Sequence, residues 1–136
     1  MKKVLFLCTG NSCRSQMAEG FARAAATPGI EIYSAGVAAH GLNPRAVAVM
    51  AEVGVDIRQQ TSKTLAEIPA DEIDTVITLC GDAAERCPVF PGVVTRKHWA
   101  LADPAGAEGS EEAILEVFRS VRNELEQRVR GLLSPG

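Results

Sequence analysis

The sequence predicts an α/β fold: a single domain over residues 1–136, built as an open four-stranded parallel sheet with helices on both faces. Two observations carry this. Short apolar runs of strand type alternate with stretches of helical periodicity along the whole chain. No repeat, low-complexity tract or long linker interrupts that alternation. The bulk numbers agree, since 136 residues of near-average apolar content suffice for one real core. A net charge of −3 argues against a nucleic-acid partner. No apolar run approaches the length that spans a bilayer, so no membrane partner is expected. Met1-Lys2-Lys3 leads into only a four-residue apolar run, too short for a signal peptide, and a cytoplasmic monomer is expected. In that compartment four cysteines are more often catalytic or metal-binding than structural staples.

The first strand is Lys3–Leu7, whose Val4-Leu5-Phe6-Leu7 run is of the kind buried on both faces. The first helix runs from about Arg14 to Ala26, with Met17, Phe21 and Ala24/Ala25 on one face, and Thr27-Pro28-Gly29 stops it. Ile30–Ala35 alternates as a second strand closed by Gly36. After a loop around His40-Gly41-Leu42, Asn43-Pro44 is an N-cap followed by proline at the first helical position. The second helix then runs to about Val53, and Gly54 ends it. Val55–Pro69 is polar and ambiguous, with a short helix expected. Asp74–Leu79 is the third strand and leads to Cys80. Gly81–Cys87 suits one or two loose helical turns before Pro88. Val93–Trp99 is the fourth strand, and Ala102–Gly106 a loop. Ser110 caps a last helix to Leu133, with Ile114, Phe118, Val121, Leu125, Val129 and Leu132 as its apolar stripe.

One stretch carries chemistry. Cys8-Thr9-Gly10-Asn11-Ser12-Cys13-Arg14-Ser15 is a strand-to-helix turn. Backbone N–H groups in such a turn face a common hollow, and the helix behind adds its positive end, so residues 9–14 form an oxyanion-binding loop. Arg14 can grip two oxygens in fork geometry, and Cys8 lies at the bottom. A free cysteine has a pKa of about 8.5. A helix N-terminus and a neighbouring Arg lower this to roughly 3.5–7.5. The Ser15 hydroxyl can donate a further hydrogen bond to the thiolate. In a parallel sheet ligands bind beyond the carboxyl ends of the strands, where Cys8, Cys80 and Asp103 all fall. The plainer alternatives are a buried strand-end cysteine and an Asp-Pro turn.

The spacings Cys-x4-Cys and Cys-x6-Cys do not match a structural zinc site, and no metal is expected. Cys80 and Cys87 read better as a redox pair. A stable helix would hold them too far apart to bond, so joining them requires the segment between to loop out.

With these motifs assembled, the chain resembles the thioredoxin-coupled arsenate reductases, the group built on the low-molecular-weight tyrosine phosphatase fold. The carriers are residues 8–15, Tyr33-Ser34-Ala35-Gly36, Thr78-Leu79-Cys80 through Cys87-Pro88, and His98-Trp99 with Asp103-Pro104-Ala105. The resemblance implies arsenate reduction to arsenite, and hence arsenic detoxification. Cys8 would be the nucleophile, Arg14 the charge stabiliser and Asp103 the general acid. Cys80 and Cys87 would carry the disulfide outward. Thioredoxin, fed by thioredoxin reductase and NADPH, would be the electron donor, with no bound cofactor. Cys13 is left without a task and open to oxidation, and His40 and His98 read as surface or structural. Some members of the group hold potassium beside the loop through an Asn, a Glu, a Ser and an Asp. Here Asn11, Glu19 and Ser34 match, but Lys63 stands at the Asp position. Its ammonium is expected to replace the cation and brace Asn11 and Glu19; the alternative is a side chain in solvent. Two rival functions remain at this stage. One is a tyrosine or aryl phosphatase, disfavoured by Ala105 where those enzymes carry an aromatic residue. The other is an anion-binding redox sensor.

Overall fold

The computed structural model describes residues 2–25, 28–80 and 94–133. Strand β1 (Lys2–Cys8) lies inside the sheet, which explains its continuous apolar run: Val4, Leu5, Phe6 and Leu7 are fully buried. It pairs in parallel with β2 (Ile30–Gly36) on one side and β3 (Thr75–Cys80) on the other. β4 (Thr95–Leu101) adds in parallel to β3, giving the order β2-β1-β3-β4.

Successive side chains of a strand point to opposite faces, and the core divides accordingly. Val4, Phe6, Cys8, Ile77 and Leu79 face one cluster, shared by helices α1 (Arg14–Ala25), α2 (Pro44–Ala51) and α3 (Glu111–Leu133). Leu5, Leu7, Ala35 and Val76 face a smaller one. There Leu65, Ile68 and Ala70 pack from two 3₁₀ turns, Leu65–Glu67 and Ala70–Glu72. The short helix expected within Val55–Pro69 is therefore the single 3₁₀ turn Leu65–Glu67, with the second turn just beyond it. Both faces carry helical cover, but among the described residues all three α-helices share one core cluster.

The caps act as the sequence indicates. Asn43 Oδ1 accepts from the Arg45 and Ala46 amides at 2.8 and 3.4 Å, and Ser110 Oγ from the Ala113 amide at 3.1 Å. Helix α2 ends at Ala51 rather than Val53, where the chain turns away through Gly54 at φ 79°. In α1 the buried apolar side chains are Met17, Ala18, Phe21 and Ala22; Ala24 and Ala25 are exposed, because the last turn lies clear of the core. β4 runs on to Leu101, two residues past the expected end, because pairing with β3 resumes at Cys80–Leu101 after an irregularity. The stripe of α3 is buried at Phe118, Val121, Leu125 and Val129, with Ile114 and Leu132 packed at its margin. Arg122 fastens α3 to α2, donating to the Val49 carbonyl at 3.0 Å and to Glu52 Oε1 at 2.6 Å. Val93, Cys87 and the turns expected over Gly81–Cys87 lie outside the described residues. No helix among the described residues is long and apolar enough to cross a membrane.

The core assignment is testable. Phe118→Ala should cost about 3–5 kcal/mol, the range for a fully buried aromatic. Val117→Ala, at a neighbouring exposed position, should stay within about 0.5 kcal/mol. Urea unfolding followed by circular dichroism reads both, and equal midpoints would refute the assignment.

Candidate active site

Five residues join β1 to α1, and their carbonyl oxygens are all tied down. Thr9 O accepts from the Ala38 amide at 3.1 Å, Gly10 O from the His40 amide at 2.9 Å, and Ser12 O from the Asn43 amide at 3.2 Å. Asn11 O accepts from Gln16 Nε2 at 3.1 Å, and Cys13 O from the Met17 amide at 2.9 Å. Across a trans peptide the N–H points opposite to the C=O. The amides of Gly10, Asn11, Ser12, Cys13 and Arg14 are thereby turned to the inner side of the loop, at the N-terminus of α1. Asn11 makes the turn with φ 48°, the one positive φ outside glycine among the described residues. Gly36 lets β2 close on the loop: a Cβ there would come within 2.6–2.8 Å of Ala38 O, Thr9 O and Asn11 N.

Cys8 is 2 % exposed, and its Sγ lies 2.8 Å from Ser15 Oγ. Arg14, 3 % exposed, is locked by the sheet: Nη1 donates to Leu79 O at 3.0 Å and to Leu101 O at 2.9 Å. These carbonyls belong to the ends of β3 and β4. Nη2 lies 3.7 Å from Asp103 Oδ2, while Asp103 Oδ1 accepts from the Ala105 amide at 3.0 Å. Asp103 thus serves the Asp-Pro turn with one oxygen and faces Arg14 with the other.

Behind the loop lies a buried polar cluster. Asn11 Nδ2 donates to Ser15 Oγ and Ser34 Oγ, both at 2.9 Å. Ser34 Oγ donates to Glu19 Oε1 at 2.5 Å, and Arg23 Nε to Glu19 Oε2 at 2.7 Å. Lys63 Nζ donates to Thr61 O at 2.8 Å and lies 3.7 Å from Glu19 Oε1. The ammonium lies beside Glu19 and has no contact with Asn11 among the described hydrogen bonds. It is the Lys63 backbone amide that holds Asn11 Oδ1, at 2.8 Å.

The model of the low molecular weight phosphotyrosine protein phosphatase family matches residues 3–135. The chain belongs to this family. Within it, a relative named arsenate reductase, from Shouchella clausii, is 51% identical over 135 residues, 99% of this chain and 97% of the relative. A solved arsenate reductase in a phosphate-binding state superposes with a TM-score of 0.83 at 42% identity, covering 98% of each chain. The thioredoxin-dependent arsenate reductase of Corynebacterium glutamicum gives a TM-score of 0.63 at 30% identity, over 97% of this chain and 63% of that one.

Against the family framework, the residues singled out in the sequence fall into three groups. Cys8, Thr9–Cys13, Arg14, Ser15 and Asp103 come together at one end of the sheet; Asn11, Glu19, Ser34 and Lys63 form the cluster behind. Cys80 closes β3 with its backbone, but its side chain and all of Cys87 lie outside the described residues. His98 is exposed, with Nδ1 2.7 Å from Thr78 Oγ1. Among the described residues no three of His, Cys, Asp or Glu gather as a metal set. Sequence reasoning missed the collar of Ala38, His40 and Asn43 amides, because backbone donors carry no residue signature. It also missed Gln16 and Gln60, whose pairing across 44 residues leaves no local signal.

Cys13 differs from expectation. It is 3 % exposed, and burial, with the Asp103 carboxylate next in size, pushes its thiol up to about 12. Because burial disfavours the thiolate, the unfolded chain releases this proton first, so stability falls as pH rises from the free-thiol range toward about 12. The thiol is protected rather than open to oxidation. In Cys80→Ser/Cys87→Ser protein, iodoacetamide at about pH 8 should alkylate Cys8 and spare Cys13 until denaturant is added. Fragment mass spectrometry locates the label, and equal labelling in the folded state would refute the protection.

Proposed function

We propose that this protein reduces arsenate to arsenite, with Cys8 as nucleophile and Cys80 and Cys87 as a disulfide shuttle recharged by thioredoxin. The observation that carries this is a loop with amides turned inward over a Cys8 sulfur paired to Ser15, in a chain about half identical to an arsenate reductase along nearly its whole length.

Arsenate is a tetrahedral oxyanion, and the loop amides with Arg14 complement its equatorial oxygens. The Cys8 thiolate attacks arsenic, and an oxygen departs as water with a proton from Asp103. Arg14 needs no rearrangement for this, being fixed between the ends of β3 and β4. The Cys80 thiolate then attacks Cys8 Sγ. A sulfur–sulfur bond forms, the sulfur–arsenic bond breaks, and its electron pair stays on arsenic, which leaves as arsenite. Cys87 attacks Cys80, forming the Cys80–Cys87 disulfide and releasing Cys8 as thiolate. A thioredoxin dithiol, with a potential of about −270 mV, returns this pair to thiols. NADPH and thioredoxin reductase supply those electrons upstream. The 136 residues act as one domain, as a cytoplasmic monomer.

Coupled NADPH oxidation with thioredoxin, thioredoxin reductase and arsenate tests the scheme. Cys8→Ser, Cys80→Ser and Cys87→Ser should each abolish turnover, and Asp103→Asn should lower kcat about 10²-fold. Hydrolysis of an aryl phosphate that survives loss of Cys80 and Cys87, with no arsenate turnover, would instead make this a phosphatase.

The Lys63 ammonium beside Glu19 does the work of the potassium that some relatives bind. Turnover should therefore not respond to potassium in sodium-free buffer, and Lys63→Asp should create a response. A potassium-dependent KM in the parent protein would rule this out.

A further inference from the structure

The contacts of Asn11 have a direction. Its side chain offers two donor hydrogens and two acceptor lone pairs, and all four are used. The Lys63 amide and Gln16 Nε2 donate to Oδ1 at 2.8 and 2.9 Å; Nδ2 donates to Ser15 and Ser34. A backbone N–H can only donate, so Oδ1 must face Lys63 and Nδ2 must face Ser15. When Cys8 is the thiolate its sulfur has no hydrogen to give, so the Ser15 hydroxyl, whose oxygen accepts from Asn11, donates its own hydrogen to Cys8 Sγ.

Gln16 is fully buried, and its orientation is forced in the same way. Its Nε2 faces three oxygens: Asn11 O at 3.1 Å, Asn11 Oδ1 at 2.9 Å and Thr61 O at 3.0 Å. It therefore pins the main-chain and side-chain carbonyls of the one left-handed residue in the loop. Its Oε1 accepts from Gln60 Nε2 at 2.8 Å, and its main-chain carbonyl from the same nitrogen at 3.0 Å. Both hydrogens of that Gln60 amide are thus spent on Gln16. Gln60 is half-buried and lines an open cavity of about 610 Å³ together with Glu19, Thr61 and Lys63. Four hydrogen bonds run from that cavity to the sulfur, Gln60 to Gln16 to Asn11 to Ser15 to Cys8, each donating toward Cys8.

We propose that Gln16, set by Gln60, is a positioning residue for the nucleophile: it holds Asn11, whose direction the Lys63 amide sets, in the place from which the Ser15 hydrogen is delivered to Cys8. The inference rests on Cys8 being the nucleophile. The loop itself has other supports. The Ala38, His40 and Asn43 amides hold the carbonyls of Thr9, Gly10 and Ser12 without Gln16. Loss of the Gln16 amide should therefore weaken activation of the sulfur more than binding of the anion.

The test uses the full chain with Cys80→Ser and Cys87→Ser, and compares two readouts. One is the rate of Cys8 alkylation by iodoacetamide, located by fragment mass spectrometry. The other is the Kd for inorganic phosphate. Gln16→Met keeps the side chain's length without its amide. It should slow alkylation about tenfold, the scale of one hydrogen bond to a charged group, while the phosphate Kd moves less than about threefold. Gln60→Met should slow alkylation in the same direction, and Gln60→Lys, which can still donate to Gln16, should restore the parental rate. An unchanged rate in Gln16→Met would overturn the proposal. So would a rate and a phosphate affinity that fall together with Tm, the mark of a purely structural role. Should Gln16→Met not fold, equal rates in Gln60→Met and Gln60→Lys overturn it. Arsenate takes no part in these readouts, so a failure of arsenate turnover would strike the proposed function and leave this comparison standing.

Discussion

A five-residue loop can turn its amides inward only if something else takes its outward carbonyls, and much of this structure supplies those donors. Ala38, His40 and Asn43 lie between the end of β2 and the start of α2. Their reach to the loop depends on β2 lying beside β1, and Gly36 allows the close approach. It depends equally on α2, whose first turn sits at Asn43 and whose last is fastened to α3 through Arg122 and Glu52. Buried carbonyls left without donors would each be unfavourable, so the collar and the loop form one cooperative unit.

The same logic governs the polar cluster behind the loop. Asn11, Ser15, Gln16, Glu19 and Ser34 are all buried. A cluster of this kind is tolerated only when its members are satisfied, and among the described residues no buried side-chain nitrogen or oxygen lacks a partner. Glu19 illustrates the balance: a carboxylate almost out of water, held by Ser34, Arg23 and the Lys63 ammonium. Full satisfaction also gives the network one direction, because donors such as the Lys63 amide and Arg23 Nε cannot accept.

Arg14 connects the loop to the rest of the sheet. Its two bonds to the carbonyls of Leu79 and Leu101 join the ends of β3 and β4, although 65 and 87 residues separate it from those partners. This fixes the guanidinium at the mouth of the loop and places Asp103, two residues beyond β4, within 3.7 Å. A rigid cation and a solvent-accessible carboxyl at the end of a parallel sheet are what a displacement at a tetrahedral oxyanion requires.

Local sequence determined much of this protein. The apolar run at Val4–Leu7, the Asn43-Pro44 cap and the periodic stripe of α3 each fix an element, because alternation, capping and a 3.6-residue period act over a few neighbours. Residues 8–15 declare their chemistry for the same reason: thiol, guanidinium and hydroxyl stand within one turn. Weak local preference explains where element limits were missed. The polar stretch 55–69 settles with one 3₁₀ turn, Leu65–Glu67, against Leu5 and Leu7, and β4 extends to Leu101 because β3 lies beside it. Tertiary structure alone decided what holds the loop. The collar amides look alike in any sequence, and the Gln60–Gln16–Asn11 chain joins residues 44 apart. Lys63 divides its task, backbone to Asn11 and ammonium to Glu19, as only a folded chain can reveal. Hydrogen bonds of this kind depend on angles and distances set by packing across the whole sheet, and no spacing along the chain encodes them.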